Sequence, residues 1–344
     1  MRGKLREMES CRARDPYWDI VKAVLIYLVI LGHVLAAYPL NKDIPFWKDP
    51  LYRMIYEFHM PCFMVVSGYF AAKSIARHGG SSVRRYASRL LLPLIGFAAF
   101  QFLFIVDYGA LRPIRIYGAF LDLWFLPVMF ECVVAYYVMT IKRNCWCRVG
   151  AFFTILLASM LAADVPYLNL LWVHNARFSF MWPFFVMGAI LRWGEGLPSP
   201  IRACFKAYRM GGVSLAGYLL LLWFVPLYPY GWCGFEEMAN NCLNLLMGLF
   251  GTIGFLSAMK AIAPFFSRCP CVLKIGRATL GIYILQFMYF AFPLPSCFVL
   301  PFGHDYASFI VLSLAITLLM WGIYSLTRNI MIFRLFLYGE AREK

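Results

Sequence analysis

Ten apolar segments of membrane-spanning length run through the 344-residue chain and constrain its fold more than any other feature. A helix that crosses a bilayer needs about 20 mostly apolar residues. Hydrophobic residues make up 62% of the chain and charged residues 14%, whereas a soluble domain carries about 25% charged residues. The sequence therefore predicts an all-α membrane protein, a single bundle of ten transmembrane helices. The predicted spans are 19–38, 51–76, 86–106, 117–140, 149–163, 175–193, 210–226, 238–262, 278–298 and 305–327.

The basic residues predict the orientation of the bundle. Of the 32 lysines and arginines, 25 lie in segments on the side of the N-terminus, six lie on the opposite side, and Lys22 lies inside the first span. Because cytoplasmic loops are enriched in lysine and arginine, this asymmetry places both termini in the cytoplasm. It also accounts for the net charge of +15, so nucleic acid is not expected as a partner. We expect a cytoplasmic segment at 1–18, a transmembrane domain at 19–327 and a cytoplasmic tail at 328–344.

The first span carries two ionisable side chains, Lys22 and His33, in an otherwise apolar run. Eleven residues correspond to about three helical turns and a rise of about 16.5 Å, so both side chains share one helix face with Ile26 and Val29. Asp19 lies one turn before Lys22 and is expected to pair with it. Lys22 has a structural interpretation, a lysine that extends its amine to the membrane surface. His33 is either a hydrogen-bond donor between helices or a general base.

The second span contains Glu57 and His59 close to Pro61. His59 is expected at a depth similar to that of His33, whereas Glu57, two residues earlier, points to a different helix face. Pro61 removes a backbone donor and is expected to open the helix locally. The pair Ser67-Gly68 is a weak candidate for a nucleophile, because small residues within spans more often mark close helix packing.

A basic cluster of Arg84, Arg85 and Arg89 begins the third span. Arginine binds phosphate groups through two parallel hydrogen bonds, so the cluster is a candidate phosphate site. The alternative interpretation is the ordinary enrichment of basic residues in cytoplasmic segments.

Asp122, Trp124 and Arg177 are predicted near the outer surface, where they are candidates for binding a polar acceptor. A tryptophan at this level is also a common membrane anchor. The pairs Cys145/Cys147 and Cys269/Cys271 have an unusual spacing for zinc, so no metal site is predicted. Cys233 and Cys242 are able to form a bridge in an oxidising compartment, but no pattern requires one.

The order of these motifs resembles the acyltransferase 3 family of bacterial membrane O-acyltransferases, especially its fucose 4-O-acetylase-like branch. The resemblance rests on YWDIVKAVLIYLVILGHV, FHMPCFMVVSGYF, the basic cluster of the third span, LWFLPVMF, PFFVMGAIL and GIYILQ, and it extends over nearly all ten spans. In that family the arginine motif is R-x-x-R, whereas this chain has Arg85-x3-Arg89. The ninth-span motif often ends in histidine, and Gln286 stands there in this chain.

The resemblance implies transfer of an acetyl group from cytoplasmic acetyl-CoA to a hydroxyl of a glycan or glycan precursor, in the bacterial inner membrane. It implies a catalytic role for His33 and pairs it with Lys22 in one motif. Lys22 and the cluster of Arg84, Arg85 and Arg89 are the candidates for binding the phosphates of the donor. His59 or Glu57 is the candidate to assist His33, and Asp122, Trp124 and Arg177 are the candidates for the acceptor.

Two alternatives remain open at the level of sequence. Ten spans with buried charges also suit a transporter or flippase of a glycan intermediate. Against this alternative, the sequence shows no pair of interrupted apolar segments at matching positions in its two halves, which is typical of transporters built from repeats. The other alternative is an acyltransferase with a different donor, such as succinyl-CoA, or with a lipid or small-molecule acceptor. The oligomeric state has no signature in the sequence.

Overall fold

The architecture comes from a computed structural model, which describes residues 15–40, 45–104, 122–141, 144–163, 175–194, 208–224, 238–291 and 305–340. Parts of the predicted spans, at 105–106, 117–121, 225–226 and 292–298, lie outside the described residues, as do most of the N-terminal segment and Cys233.

Most of the described residues are helical, and each of the ten predicted spans overlaps one helix of 13 residues or more. Two short helices, α9 and α12, were not predicted. A single 3-10 turn, Phe46–Lys48, precedes the second helix. The helices are α1 (Pro16–Ala37), α2 (Pro50–His78), α3 (Gly80–Phe104), α4 (Phe125–Ile141), α5 (Cys145–Ala163), α6 (Asn175–Gly194), α7 (Tyr208–Phe224), α8 (Met238–Phe266), α9 (Pro270–Arg277), α10 (Thr279–Ala291), α11 (Tyr306–Thr327) and α12 (Met331–Phe336).

Membrane-spanning character is clearest in four of these helices. Within the described residues, α1, most of α5, most of α8, and α11 are long and apolar enough to cross a bilayer, and the pair α9 and α10 makes a fifth if it counts as one broken span. The fold is therefore an α-helical membrane bundle, as predicted. The count of ten spans and the cytoplasmic placement of both termini stay predictions.

Local sequence signals set the ends of the helices. Asp15 accepts a hydrogen bond from the backbone N–H of Tyr17 at the start of α1, and Asp305 does the same for Ser308 in α11. These side chains satisfy backbone donors that the first helical turn leaves without a partner. Gly79 ends α2 with φ of 56°, a left-handed conformation that glycine adopts without steric cost.

The helix α2 lies at the centre of the bundle, against α1, α3, α4, α6 and α8. Its contact with α6 is close because Gly68 faces the backbone carbonyl of Phe185, and Gly188 faces the carbonyl of Val65. A Cβ at either glycine would overlap those oxygens. The structure therefore assigns Gly68 to helix packing, which is the interpretation that the sequence favoured.

The helix α2 continues without interruption through Pro61, so the predicted local opening is not observed.

The helices α9 and α10 meet at Ala278 with a bend of 73°. Gly276 in α9 packs directly on the backbone carbonyl of Asp19 near the start of α1. This close approach brings the next residue, Arg277, to the charged end of α1. A broken helix at membrane depth is typical of a protein-lined cavity.

The chain after α11 folds back onto α3. Gly96 of α3 contacts the backbone carbonyl of Phe336, and Gly339 contacts the backbone of Arg89. Tyr338 is buried, and its hydroxyl forms a hydrogen bond of 2.6 Å with Thr327. Residues 328–340 are thus packed against the transmembrane domain.

Candidate functional site

A cavity of about 380 Å³ lies between α1, α2, α3, α4, α9 and α10. Charged and polar side chains line one part of it, and aliphatic and aromatic side chains line the rest. The lining residues are Lys22, Ile26, Val29, Met60, Phe63, Val66, Ser67, Phe70, Tyr86, Arg89, Leu90, Phe125, Met129, Gly276, Arg277, Thr279, Leu280 and Tyr283.

Three basic side chains, Lys22, Arg89 and Arg277, form what we call the cationic rim of this cavity. The carboxylate of Asp19 lies behind the rim with its side chain only 2% exposed. It accepts an ion pair of 2.9 Å from Lys22 Nζ, as the sequence predicted, and one of 3.2 Å from Arg277 Nε. One buried anion therefore orients two of the three cations of the rim.

The face of α1 that begins at Lys22 continues along the cavity through Ile26 and Val29, as the helical spacing predicts. The aromatic rings of Phe63, Phe125 and Tyr283 form the part of the lining that we call the aromatic floor. The ring centroid of Phe125 lies 6.1 Å from that of Phe63 and 6.1 Å from that of Tyr283. The cavity thus combines a cationic entrance region with an apolar interior.

His33 lies one helical turn beyond Val29, next to the aromatic floor. Its ring contacts Phe287 at 5.0 Å between centroids, and Phe287 contacts Tyr283 at 5.4 Å. His33 Nδ1 lies 3.4 Å from the carboxamide oxygen of Gln286. Because that oxygen can only accept, this contact favours the tautomer with the proton on Nδ1, which leaves Nε2 as the basic nitrogen.

The other two predicted catalytic residues have separate surroundings. His59 is buried, its Nδ1 donates to the backbone carbonyl of Ile55 at 2.9 Å, and its ring lies 4.7 Å from that of Tyr56. Tyr56 in turn packs on Gly32, the neighbour of His33. The two histidines therefore belong to one region between α1 and α2, although neither lines the cavity.

Glu57 is buried, and its Oε1 has no hydrogen-bond partner among the described residues. It is one residue away from Phe58, whose ring packs against Tyr218 of α7. Glu57 does not line the cavity. The structure therefore does not bring Glu57 to the aromatic floor, and its assistance to His33 stays a prediction.

The predicted phosphate cluster is divided by the structure. All three side chains are exposed on α3, and of the three Arg89 belongs to the described lining of the cavity. Arg89 lies where the chain after α12 approaches α3, since Gly339 contacts its backbone.

Two of the predicted acceptor residues are in contact. The guanidinium of Arg177 lies 4.9 Å from the centroid of the Trp124 ring. Asp122, Trp124 and Arg177 are all partly buried. Trp124 contacts Phe125 at 6.0 Å, and Phe125 belongs to the aromatic floor. The acceptor candidates thus adjoin the end of the cavity that is remote from the cationic rim.

Sequence reasoning missed Arg277 as a site residue and did not pair Gln286 with His33. Both residues come from the last third of the chain, more than 250 positions from their partners on α1. The available signal was the short segment PCVLKIGR before GIYILQ, in which proline begins a helix and glycine permits close packing.

The helical bundle and the cavity define a membrane-associated protein with an internal polar site. The chain belongs to the acyltransferase 3 family, described as an acyltransferase domain, which it matches over residues 15–324. The predicted family is thereby confirmed.

Two curated relatives are similar to this chain. Nodulation protein NolL of Mesorhizobium japonicum is 26% identical over 253 residues, which cover 69% of this chain and 62% of the relative. Nodulation protein NolL of Sinorhizobium fredii is 41% identical over 98 residues, which cover 27% of each protein. The chain therefore spans less than two thirds of the length of the curated relatives it matches. No solved structure matches it significantly.

Proposed function

We propose that this protein is an integral membrane O-acyltransferase that moves an acetyl group from cytoplasmic acetyl-CoA to a hydroxyl of a glycan or glycan precursor. We place it in the bacterial inner membrane, with His33 as the general base. The observation that carries the proposal is the cavity of an acyltransferase-family chain, which connects a cationic rim to the α1 face that leads to His33.

The chemistry of the rim fits the donor. Coenzyme A carries several phosphate charges. Lys22, Arg89 and Arg277 supply three cations, and two of them, Lys22 and Arg277, pair with the carboxylate of Asp19. Charge-assisted hydrogen bonds from arginine are among the strongest that phosphate forms. Arg84 and Arg85 lie exposed on the same helix as Arg89 and would add to the attraction of a polyanion. The apolar lining beyond the rim suits an extended acyl-carrying arm.

The proposed transfer uses the Nε2 lone pair of His33. Gln286 accepts a hydrogen bond from Nδ1–H and so orients the ring. Nε2 takes the proton of the acceptor hydroxyl, while the oxygen of that hydroxyl attacks the carbonyl carbon of the thioester. The carbon–sulfur bond then breaks, and the imidazolium returns the proton to the departing CoA thiolate. The products are an O-acetyl ester and free CoA.

The acceptor would bind where Trp124 and Arg177 meet. A tryptophan ring offers an apolar face for the carbon face of a sugar, and the guanidinium of Arg177 and the carboxylate of Asp122 offer hydrogen bonds to hydroxyl groups. The path from this pair to the aromatic floor passes through Phe125. A glycan acceptor is also what the fucose 4-O-acetylase-like sequence motifs imply.

The test is transfer of label from radiolabelled acetyl-CoA by purified protein in detergent, with a panel of glycan acceptors. We expect His33→Ala to lower turnover by at least about 100-fold, because a positioned base contributes roughly that factor. The matched control is His78→Ala, which removes an exposed histidine at the end of α2. Binding of CoA should be unchanged in both variants.

The competing transporter function gives a different outcome. Only an enzyme consumes the thioester, so a wild-type protein that binds a glycan intermediate but never releases CoA would favour transport. Turnover of His33→Ala equal to that of the wild type would remove the base role from His33 while leaving the family assignment intact.

A further inference from the structure

Two buried hydrogen-bond donors on α10 have no acceptor among the described residues. They are the hydroxyl of Tyr283 and the side-chain amide nitrogen of Gln286. Tyr283 is 7% exposed and Gln286 is 0% exposed, so bulk water does not solvate either donor. Buried polar groups in proteins are nearly always hydrogen-bonded, and a donor that is not calls for an explanation. Two such donors on one helix indicate a site for an acceptor atom of a bound ligand.

The two donors lie on one face of α10. This helix extends over Thr279–Ala291, and residues three positions apart lie on the same side of a helix. Tyr283 belongs to the lining of the cavity. The carboxamide oxygen of Gln286 lies 3.4 Å from His33 Nδ1, so the amide nitrogen of the same group lies beside the proposed base. This face of α10 therefore connects the cavity to His33.

The hydroxyl of Tyr283 also lies near the residues that are candidates for the acceptor. The backbone N–H of Phe125, the first residue of α4, interacts with the phenol oxygen. This interaction uses the oxygen as an acceptor and leaves the O–H hydrogen available to donate. Asp122 and Arg177 also interact electrostatically with Tyr283.

We propose that Tyr283 and Gln286 form the oxyanion site of the acyl transfer, an inference that rests on the proposed function. When the acceptor oxygen attacks the thioester carbonyl carbon, the second electron pair of the C=O bond moves onto the carbonyl oxygen. The Tyr283 O–H and a Gln286 N–H donate hydrogen bonds to that negatively charged oxygen. The electron pair then returns, the carbon–sulfur bond breaks, and the departing thiolate takes the proton from His33.

The two side chains suit this role because their donors are in place before the reaction. Fixed donors in a site that excludes water stabilise developing negative charge more than they stabilise the neutral carbonyl. The carboxamide of Gln286 can hold His33 with its oxygen and donate from its nitrogen at the same time. A water molecule held by the two donors is the competing explanation, and it would leave the rate of the chemical step independent of them.

Tyr283→Phe tests the site, because it removes the hydroxyl and keeps the ring. Two reactions of the purified full-length protein are measured, transfer of label from radiolabelled acetyl-CoA to a glycan acceptor and release of CoA to water without an acceptor. Both reactions pass through an oxyanion, so we expect kcat to fall about 100-fold in both, at an unchanged KM for acetyl-CoA. The matched control is Tyr137→Phe on α4, outside the described lining of the cavity, which should keep the wild-type rates.

A dithioester analogue of acetyl-CoA separates oxyanion stabilisation from a structural effect. Its thiocarbonyl sulfur replaces the carbonyl oxygen and is a weak hydrogen-bond acceptor. The wild type should therefore prefer the thioester over the analogue, and Tyr283→Phe should reduce this preference by about tenfold or more. A structural defect would slow both donors equally and leave the preference unchanged.

Three results would overturn the oxyanion site while leaving the proposed function intact, provided that the wild type transfers acetyl groups. They are equal kcat for Tyr283→Phe and Tyr137→Phe, an unchanged preference for the thioester, and a fall in transfer without a fall in CoA release to water. The last result would assign Tyr283 to acceptor binding. A wild type that never consumes the thioester would instead overturn the proposed function and this inference together.

Discussion

At the scale of single residues, Asp19 determines the geometry of the cationic rim. Its buried carboxylate holds Lys22, on its own helix, and Arg277, which is 258 positions away in the sequence. A buried carboxylate requires such partners, because an uncompensated charge in this environment is costly. The first of these pairs follows from helical spacing. The second depends on the bend between α9 and α10 and on the fit of Gly276, so no local pattern predicts it.

Arg277→Gln tests the contribution of the rim to donor binding. Because the Arg277 side chain is 54% exposed, solvent weakens its interaction with an anion, and we expect the KM for acetyl-CoA to rise about threefold to tenfold. The kcat should change little, since Arg277 belongs to the cationic rim, whereas His33 lies next to the aromatic floor. The measurement is steady-state kinetics beside Arg268→Gln, which should keep the wild-type KM. A fall in kcat at unchanged KM would place Arg277 in the chemistry instead.

At the scale of helices, the pattern of small residues determines which elements touch. The contact of α2 with α6 relies on Gly68 and Gly188, and the contact of α9 with α1 relies on Gly276. The helices themselves are predictable from apolar length, capping aspartates and proline at the first position. Their partners are less predictable, because nearly every face of every helix is apolar and several glycines have no close neighbour.

Gly68→Val tests the close contact between α2 and α6. A side chain at Gly68 must displace the Phe185 carbonyl, so we expect the free energy of unfolding to fall by about 1–3 kcal/mol and the thermal midpoint in detergent to fall with it. The control is Gly150→Val, which places the same side chain at a helical glycine with open space around it. Equal midpoints for the two variants would show that the helices do not approach as closely as described.

At the scale of the whole molecule, the site is assembled from segments that are distant in sequence. Lys22 and His33 come from α1, Arg89 from α3, and Arg277 and Gln286 from the pair α9 and α10. The helical spacing of α1 predicted that Lys22, Ile26 and Val29 share one face, and all three line the cavity. It did not place α1 against the broken pair, since that contact is a property of the assembled bundle.

The orientation of the bundle is the last prediction at this scale, and it decides which compartment supplies each substrate. The proposed binding of acetyl-CoA at the cationic rim requires that this end of α1 faces the cytoplasm, where acetyl-CoA is made. The charge asymmetry predicts this orientation, with Cys145 inside and Lys48 outside. Both residues are exposed, so each can report its compartment.

Two single-cysteine proteins test this orientation, one with only Cys145 and the other with Lys48→Cys in a cysteine-free background. In intact spheroplasts, a membrane-impermeant maleimide should label the cysteine at position 48 and leave Cys145 unmodified. In inverted membrane vesicles the pattern should reverse. Labelling of Cys145 from the outside would place the cationic rim on the extracytoplasmic side. The rim could then not bind the phosphates of a cytoplasmic acyl donor.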